Sequence, residues 1–290
     1  MSRPVACIGA LYGGTERGLA ADVLAARALG LRPLPVCTAL VMASHGRVTD
    51  QTEVPADTVS AQLEHLHAVD PPAALRIGAL GSAKTAAVVF RYVERFREVE
   101  GDGAPVVLEL IASGPSGETI LDARGVDAVS DHLAAADLVV LSRADAELVT
   151  GGEIKSLDDA QVAAQRAANR GARRVLITCG QLPARFYDAA DDPGADDASG
   201  DGAPTQPFYS DLYYDGEDFA LFEGPAVERP GEAGGAGSAL VLATLAAMLE
   251  GRDVLEALQL GKRFATEAVR HGATEQPPRV AFGWAEAPRG

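Results

Sequence analysis

Short apolar runs alternate with longer stretches of helical period along most of this chain, and that alternation restricts the fold more than any other feature. Val5–Ile8, Pro35–Val41, Leu75–Leu80, Pro105–Ile111, Leu138–Leu141 and Arg174–Thr178 read as strands. Strands that are apolar at successive positions are covered on both faces. Between them Leu19–Leu29, Pro55–His67, Thr85–Phe96, Gly125–Ala135, Ala144–Val149 and Leu157–Arg170 read as helices. The order predicts an α/β fold, a three-layer α/β/α sandwich around a mostly parallel central sheet. Asp215-Gly216 between Phe208–Tyr214 and Phe219–Phe222 signals a hairpin, and two helices follow, Gly237–Leu249 and Val254–His271. The expectation is one domain over residues 1–290. Its exception is 188–207, where six aspartates among Gly, Ala, Ser and Pro predict an inserted, acidic, flexible loop.

Composition narrows the partners. Hydrophobic residues make up 47% of the 290, enough for a large core, and the formal net charge is −16. Such a surface repels phosphate backbones and anionic headgroups, so nucleic acid and membranes are not expected partners. Cys7, Cys37 and Cys179 form no CxxC pair and are expected to be buried free thiols of a reducing cytoplasm. No signal-peptide pattern opens the chain, and the apolar stretch Ala236–Leu249 is too short to span a bilayer.

Three glycine-containing turns invite comparison with phosphate loops. Gly78 to Thr85 nearly matches GxxxxGK[ST] but has Ala83 where glycine is required, so an ordinary strand-to-helix turn is expected. Gly9-Ala10-Leu11-Tyr12-Gly13-Gly14 lacks dinucleotide-loop spacing and suits a backbone turn lining a small-molecule pocket. Gly231 to Ser238 runs straight into an Ala/Leu/Val helix. Either its amides and the helix N-terminus form an anion cradle, or it is a flexible linker capped by Ser238.

Further stretches carry a family resemblance. Gly18-Leu19-Ala20-Ala21-Asp22 with Ala28-Leu29-Gly30 resembles GIQADL…ALG, and Ile77-Gly78-Ala79-Leu80 resembles IGML. Val106-Val107-Leu108-Glu109 with Ser116-Gly117-Glu118-Thr119-Ile120-Leu121 resembles VVLDPV…SGxxLL, and Gly234-Gly235-Ala236-Gly237-Ser238 stands where HGTGC is found. Over residues 5–272 the chain resembles the hydroxymethylpyrimidine/phosphomethylpyrimidine kinases of thiamine biosynthesis, in the ribokinase-like superfamily. The resemblance implies ATP and Mg²⁺ as cofactors, a small heterocyclic alcohol as substrate, and a homodimer. It implies catalytic roles for Gly235, Ala236, Gly237 and Ser238, and nucleotide binding by Thr178, Gly180 and Glu147. It places the substrate against Gly9, Ala10, Tyr12, Ala43, Ala79 and Ile111, and the metal on Glu147 and Glu109.

The departures from the family pattern fall on polar groups. Ser238 replaces the cysteine, or the aspartate of sugar-kinase relatives, that serves as base, and a serine hydroxyl accepts protons poorly near neutral pH. TPNxxE becomes Ser142-Arg143-Ala144-Asp145-Ala146-Glu147, and KGGH becomes Thr178-Cys179-Gly180-Gln181. Tyr12 stands about where the family has an aspartate, Ala43-Ser44 near its AQNT glutamine, and Glu109 for its aspartate. Three readings stay open: a kinase of a hydroxymethylpyrimidine or its phosphate, a weak or inactive homologue that binds nucleotide or pyrimidine, and a kinase of another acceptor such as pyridoxal or a sugar. His65 and His67, two apart on a helix, are expected at the surface, and His45 and Arg47 in a loop.

Overall fold

The computed structural model describes residues 2–44, 46–181, 208–225, 234–270, 274–275 and 279–280. The expected acidic loop 188–207 and His45 lie outside them.

Nine strands form one sheet. In chain order they are β1 (Pro4–Gly13), β2 (Arg32–Ser44), β3 (Arg47–Glu53), β4 (Ala74–Ile77), β5 (Val106–Leu110), β6 (Leu138–Ser142), β7 (Val175–Gln181), β8 (Phe208–Tyr214) and β9 (Phe219–Pro225). Their spatial order is β3-β2-β1-β4-β5-β6-β7-β8-β9. The six from β2 to β7 in that order run parallel, while β3 and the β8–β9 hairpin are antiparallel to their neighbours.

Side-chain alternation along the strands sorts the core into two layers. Ile8, Leu75, Ile77, Val106, Leu108, Val139, Leu141, Val175 and Ile177 pack against α2 (Ala56–Val69), α3 (Ala83–Glu100), α4 (Ala123–Ser130), α5 (Arg143–Thr150) and α6 (Leu157–Asn169). Val5, Cys7, Ala74, Val107, Leu138, Val140 and Leu176 face α1 (Leu19–Ala28), α7 (Ala236–Leu249) and α8 (Val254–Arg270). Helix α7 is apolar on every side because it is sandwiched between the sheet and its neighbouring helices α1 and α8. Serine and aspartate caps set the starts of the outer helices. Ser82, Asp122, Ser142 and Ser156 each accept a backbone N–H of the first turn of α3, α4, α5 and α6. Ser82 makes Gly78–Thr85 an ordinary strand-to-helix turn, as its sequence predicts.

Several local expectations change. Arg47 lies in strand β3, not in a loop, and its guanidinium Nε is 3.4 Å from Glu118 Oε1. Cys7 and Cys179 are buried, whereas Cys37 is only half-buried; all three are free. His65 is exposed as expected, but His67 packs edge-on against the Tyr92 ring at 6.0 Å between centroids. No described helix is long and apolar enough to cross a membrane.

Candidate active site

Two charged residues interrupt the otherwise apolar central strands, and both point the same way. Arg76 in β4 lies two positions from Ala74, and Glu109 in β5 two positions from Val107, so both face α1 and α7. Arg76 is fully buried, and each of its two paired nitrogens meets a carboxylate. Its Nε donates to Asp22 Oδ1 of α1 at 2.9 Å, and one terminal nitrogen donates to Glu109 Oε2. Its other terminal nitrogen is buried without a described partner. Ser238, near the start of α7, is close enough to Asp22 to pull its carboxyl down. Burial drives the Asp22 carboxyl above the usual carboxylate range, against the opposing pull of Arg76 and Ser238. The two carboxylates raise the Arg76 guanidinium further, against the cost of its own burial. Burial, then the charge of Asp22, pushes the neighbouring Cys7 thiol up.

The turn into α7 is built to meet this cluster. Gly235 is its N-cap, with φ +93° in the left-handed region that favours glycine, and no described side chain caps the helix. The first amides of α7 therefore present their N–H groups and the positive end of the helix dipole without a capping side chain. Ser238 lies inside the first turn and Gly235 holds the cap position, so Ser238 is not the cap that the linker reading requires. Gly237 lies against Glu109: a Cβ there would sit 2.3 Å from Glu109 Oε1. The bend thus points at a charged cluster at the carboxyl edge of β4 and β5. Arg17 lines its other side, with Nε 2.7 Å from where a Gly234 Cβ would stand.

The residues expected to line the substrate pocket come together beside it. Ala10, Tyr12 and Ala79 form a small buried cluster with Ala39, Val41 and Ile120, and Ala43 and Ile111 pack at its margin. Gly9 borders both groups, its Cβ direction passing 3.9 Å from Ala79 N and from Asp22 Oδ2. Burial raises the Tyr12 phenol, and the charges of Arg17, Glu109, Asp145 and Glu118 act on it. Gln51, opposite Val41 on β3, bonds Ile120 O through its amide nitrogen and leaves its buried Oε1 without a described partner. Asp145 anchors the chain after β5, accepting from Ala112 N (3.0 Å), Ser113 N (3.2 Å) and Ser142 Oγ (2.6 Å).

The expected nucleotide and metal residues are less concentrated. Thr178 and Gly180 flank a bulge at the end of β7, and Thr178 pairs with Asp211 of β8. Asp211 is buried and bound to Lys262 of α8, one of only three lysines in the chain. A lysine therefore reaches the neighbourhood of Thr178 from another element. Glu147 is partly committed: its Oε1 accepts from Ile154 N at 2.8 Å. It lines an open depression of about 410 Å³ with Ser113, Gly152 and Glu153. Among the described residues no three His, Cys, Asp or Glu side chains group to hold a metal, so Glu109 and Glu147 form no ready-made cage.

Sequence reasoning named Gly235–Ser238 and the apolar pocket residues, but not Asp22, Arg76, Arg17, Asp145 or Lys262, which the structure sets beside them. Two signals were present. An arginine inside the buried strand ALRI and an aspartate inside the apolar helix LAADVLAARA each require a buried partner of opposite charge.

Comparison with known proteins agrees with this architecture. The family model described as phosphomethylpyrimidine kinase matches residues 13–278. A hydroxymethylpyrimidine/phosphomethylpyrimidine kinase of Aquifex aeolicus is 27% identical over 255 residues, covering 88% of this chain and 89% of its own. The enzyme of that name from Rhizobium meliloti is 27% identical over 278 residues, covering 95% and 91%. Among solved structures, the pyridoxal kinase of Staphylococcus aureus in complex with ADP superposes with a TM-score of 0.79 at 22% identity, over 100% of this chain and 96% of that one. The phosphomethylpyrimidine kinase of Clostridium difficile does so with 0.71 at 19%, over 92% and 100%. These structures share the ribokinase-like fold. With this fold and a family match across nearly its whole length, the chain belongs to the phosphomethylpyrimidine kinase family.

Proposed function

We propose that this protein transfers the terminal phosphoryl group of ATP to the hydroxymethyl oxygen of a hydroxymethylpyrimidine or of its monophosphate. The observation that carries this reading is the convergence of the uncapped α7 N-terminus with Glu109 and the Gly9–Tyr12–Ala79 pocket at one sheet edge.

The amides of Gly235, Ala236 and Gly237 face the charge that develops on the transferring group, where fixed dipoles act without reorganising. Arg17 lies beside that turn and adds positive charge. Thr178, Gly180 and the nearby Lys262 line the nucleotide side. Ala10, Tyr12, Ala43, Ala79 and Ile111 hold the heterocycle in a largely apolar setting and position its hydroxyl for in-line attack. Mg²⁺ binds through hard oxygen donors, usually one or two carboxylates together with substrate phosphates and water. The donor set fits: Glu109 keeps Oε1 toward Gly237 while Oε2 is held by Arg76, and Glu147 keeps its second oxygen. When bound, the cation neutralises phosphate charge; Glu109 and Glu147 are the residues we assign to hold it.

We further propose a cytoplasmic homodimer. Leu11, Leu40 and Met42 are 38%, 44% and 39% exposed and share one face of the β1–β2 ladder, an apolar face suited to a second copy. The three free thiols fit a reducing compartment.

The test is ADP release with Mg²⁺-ATP and hydroxymethylpyrimidine, its monophosphate or pyridoxal, alongside ligand-induced thermal stabilisation. Acceptor-dependent ADP with the pyrimidines supports the assignment, and preference for pyridoxal redirects it. Stabilisation by ATP or pyrimidine without ADP formation makes the protein a binding module instead.

A further inference from the structure

Glu109, assigned above to hold Mg²⁺, is not free to present both of its oxygens. We propose that Arg76 makes this carboxylate a one-oxygen ligand, and that the tie selects Mg²⁺ over Ca²⁺ at the phosphoryl site. The inference rests on the kinase reading and on the assignment of Glu109.

Arg76 donates through one terminal nitrogen to Glu109 Oε2, while Oε1 is the oxygen turned toward Gly237 at the start of α7. The guanidinium is itself held: its Nε donates to Asp22 Oδ1 of α1 at 2.9 Å. Side-chain exposure is 1% for Arg76 and for Asp22 but 17% for Glu109, so solvent reaches chiefly the Glu109 end of this chain of contacts. Arg76 is therefore a positioning residue, and Glu109 is the one that meets the ion.

Planarity makes the hold directional. A guanidinium offers its N–H groups in fixed directions, which an ammonium does not. Turning Glu109 so that both oxygens face one cation takes Oε2 away from Arg76, and Arg76 cannot follow without leaving Asp22. Its other terminal nitrogen is already buried without a described partner. The turn would thus leave a buried cation with two unfilled donors, which desolvation opposes.

The two cations respond differently to such a ligand. Mg²⁺ demands near-octahedral geometry at about 2.0–2.1 Å, keeps several waters and accepts single carboxylate oxygens. Ca²⁺ takes roughly 6–8 oxygens at about 2.3–2.6 Å and uses carboxylates through one oxygen or both. A pinned Oε2 costs Mg²⁺ nothing and denies Ca²⁺ a ligand. The positive charge of Arg76 repels both divalent ions alike, so it does not set their ratio.

The experiment uses the full chain with ADP and Mn²⁺, whose electron paramagnetic resonance signal reports the free ion. Mg²⁺ or Ca²⁺ is titrated in, and the ratio of their displacement midpoints is compared between wild type, Arg76→Met, Gly78→Ala and Glu109→Gln. The nucleotide's own preference for either ion cancels in that comparison. Arg76→Met is expected to shift the ratio toward Ca²⁺ by about 10-fold, the scale of one unfilled buried donor. Gly78→Ala keeps every charge but sets a Cβ 2.3 Å from the unpartnered Arg76 nitrogen and 3.0 Å from Cζ, and is expected to shift the ratio the same way by less. Glu109→Gln is expected to weaken both ions, and in that background the Arg76→Met shift is expected to vanish. A purely structural Arg76 would lower Tm in its variants and leave the ratio at the wild-type value, and that result overturns the proposal. If Arg76→Met does not fold, Gly78→Ala decides, and an unchanged ratio there overturns the tie. Unaltered Mn²⁺ binding in Glu109→Gln overturns the assignment of Glu109 and the proposal with it. Failure of the kinase reading shows separately, as absence of acceptor-dependent ADP release in wild type.

Discussion

Replacing Gly237 with alanine tests whether the α7 turn and Glu109 are one unit. The new Cβ would stand 2.3 Å from Glu109 Oε1 and 3.3 Å from its Cδ. Ordinary carbon–oxygen contact lies about 1 Å farther out, so either the carboxylate or the helix start must move. The carboxylate is the flexible end, but it is tied to Arg76, which is 1% exposed and already has one terminal nitrogen without a described partner. Moving Glu109 away strips a second nitrogen of its acceptor. Leaving a buried charged donor unpaired costs about 1–3 kcal/mol, which in a protein of this size lowers Tm by about 2–4 °C per kcal/mol. Displacing the amides from the proposed phosphoryl site is expected to cost about 10²-fold in kcat, as loss of one such donor does. Glu109→Asp withdraws the carboxylate by one methylene, so the Gly237→Ala penalty in Tm should shrink in that background. The measurement is a double-mutant cycle by thermal denaturation with parallel ADP-release rates. Unchanged Tm and rate in Gly237→Ala, or a penalty equal in both backgrounds, would refute the coupling.

Two further outcomes follow from the buried charges and thiols. Arg76→Met leaves Asp22 and Glu109 without their shared cation and is expected to destabilise by about 3–5 kcal/mol in urea titrations; a loss below about 1 kcal/mol contradicts the burial argument. Burial and the charge of Asp211 push Cys179 up to about 12, and burial takes Tyr92 and Tyr213 to about 12. The unfolded thiol and phenols lose protons from about 9–10 upward while the folded chain keeps them, so the unfolded state binds fewer protons there. Stability is therefore expected to fall as pH rises from about 9 toward 12, and native Cys7 and Cys179 to resist thiol reagents at pH 8 until urea is added. Flat stability across that range, or rapid labelling of all three cysteines, would count against it.

Local pattern settled most of the architecture. The apolar strands, the intervening helices and the Asp215-Gly216 hairpin stand close to where their periodicity puts them, since burial on one face or two leaves a repeat that needs no knowledge of the partner. Strand β3 escaped because it is a polar, mostly exposed segment, Arg47–Glu53, held to β2 by backbone pairing that side-chain pattern does not record. The glycine-rich turn before α7 was legible as either an anion cradle or a linker, because small residues ahead of an apolar helix serve both; the left-handed Gly235 cap without a capping side chain is what the structure adds.

What surrounds that turn was decided in three dimensions. Asp22, Arg76 and Glu109 come from α1, β4 and β5, and the sequence separations are 54 residues for Arg76–Asp22 and 33 for Arg76–Glu109. Lys262 reaches Asp211 across 51 residues. A buried charge announces in the sequence that it must have a counter-charge, because desolvation forbids it to stand alone. Which counter-charge it finds depends on strand order and helix placement, and those are set by the packing of the whole core.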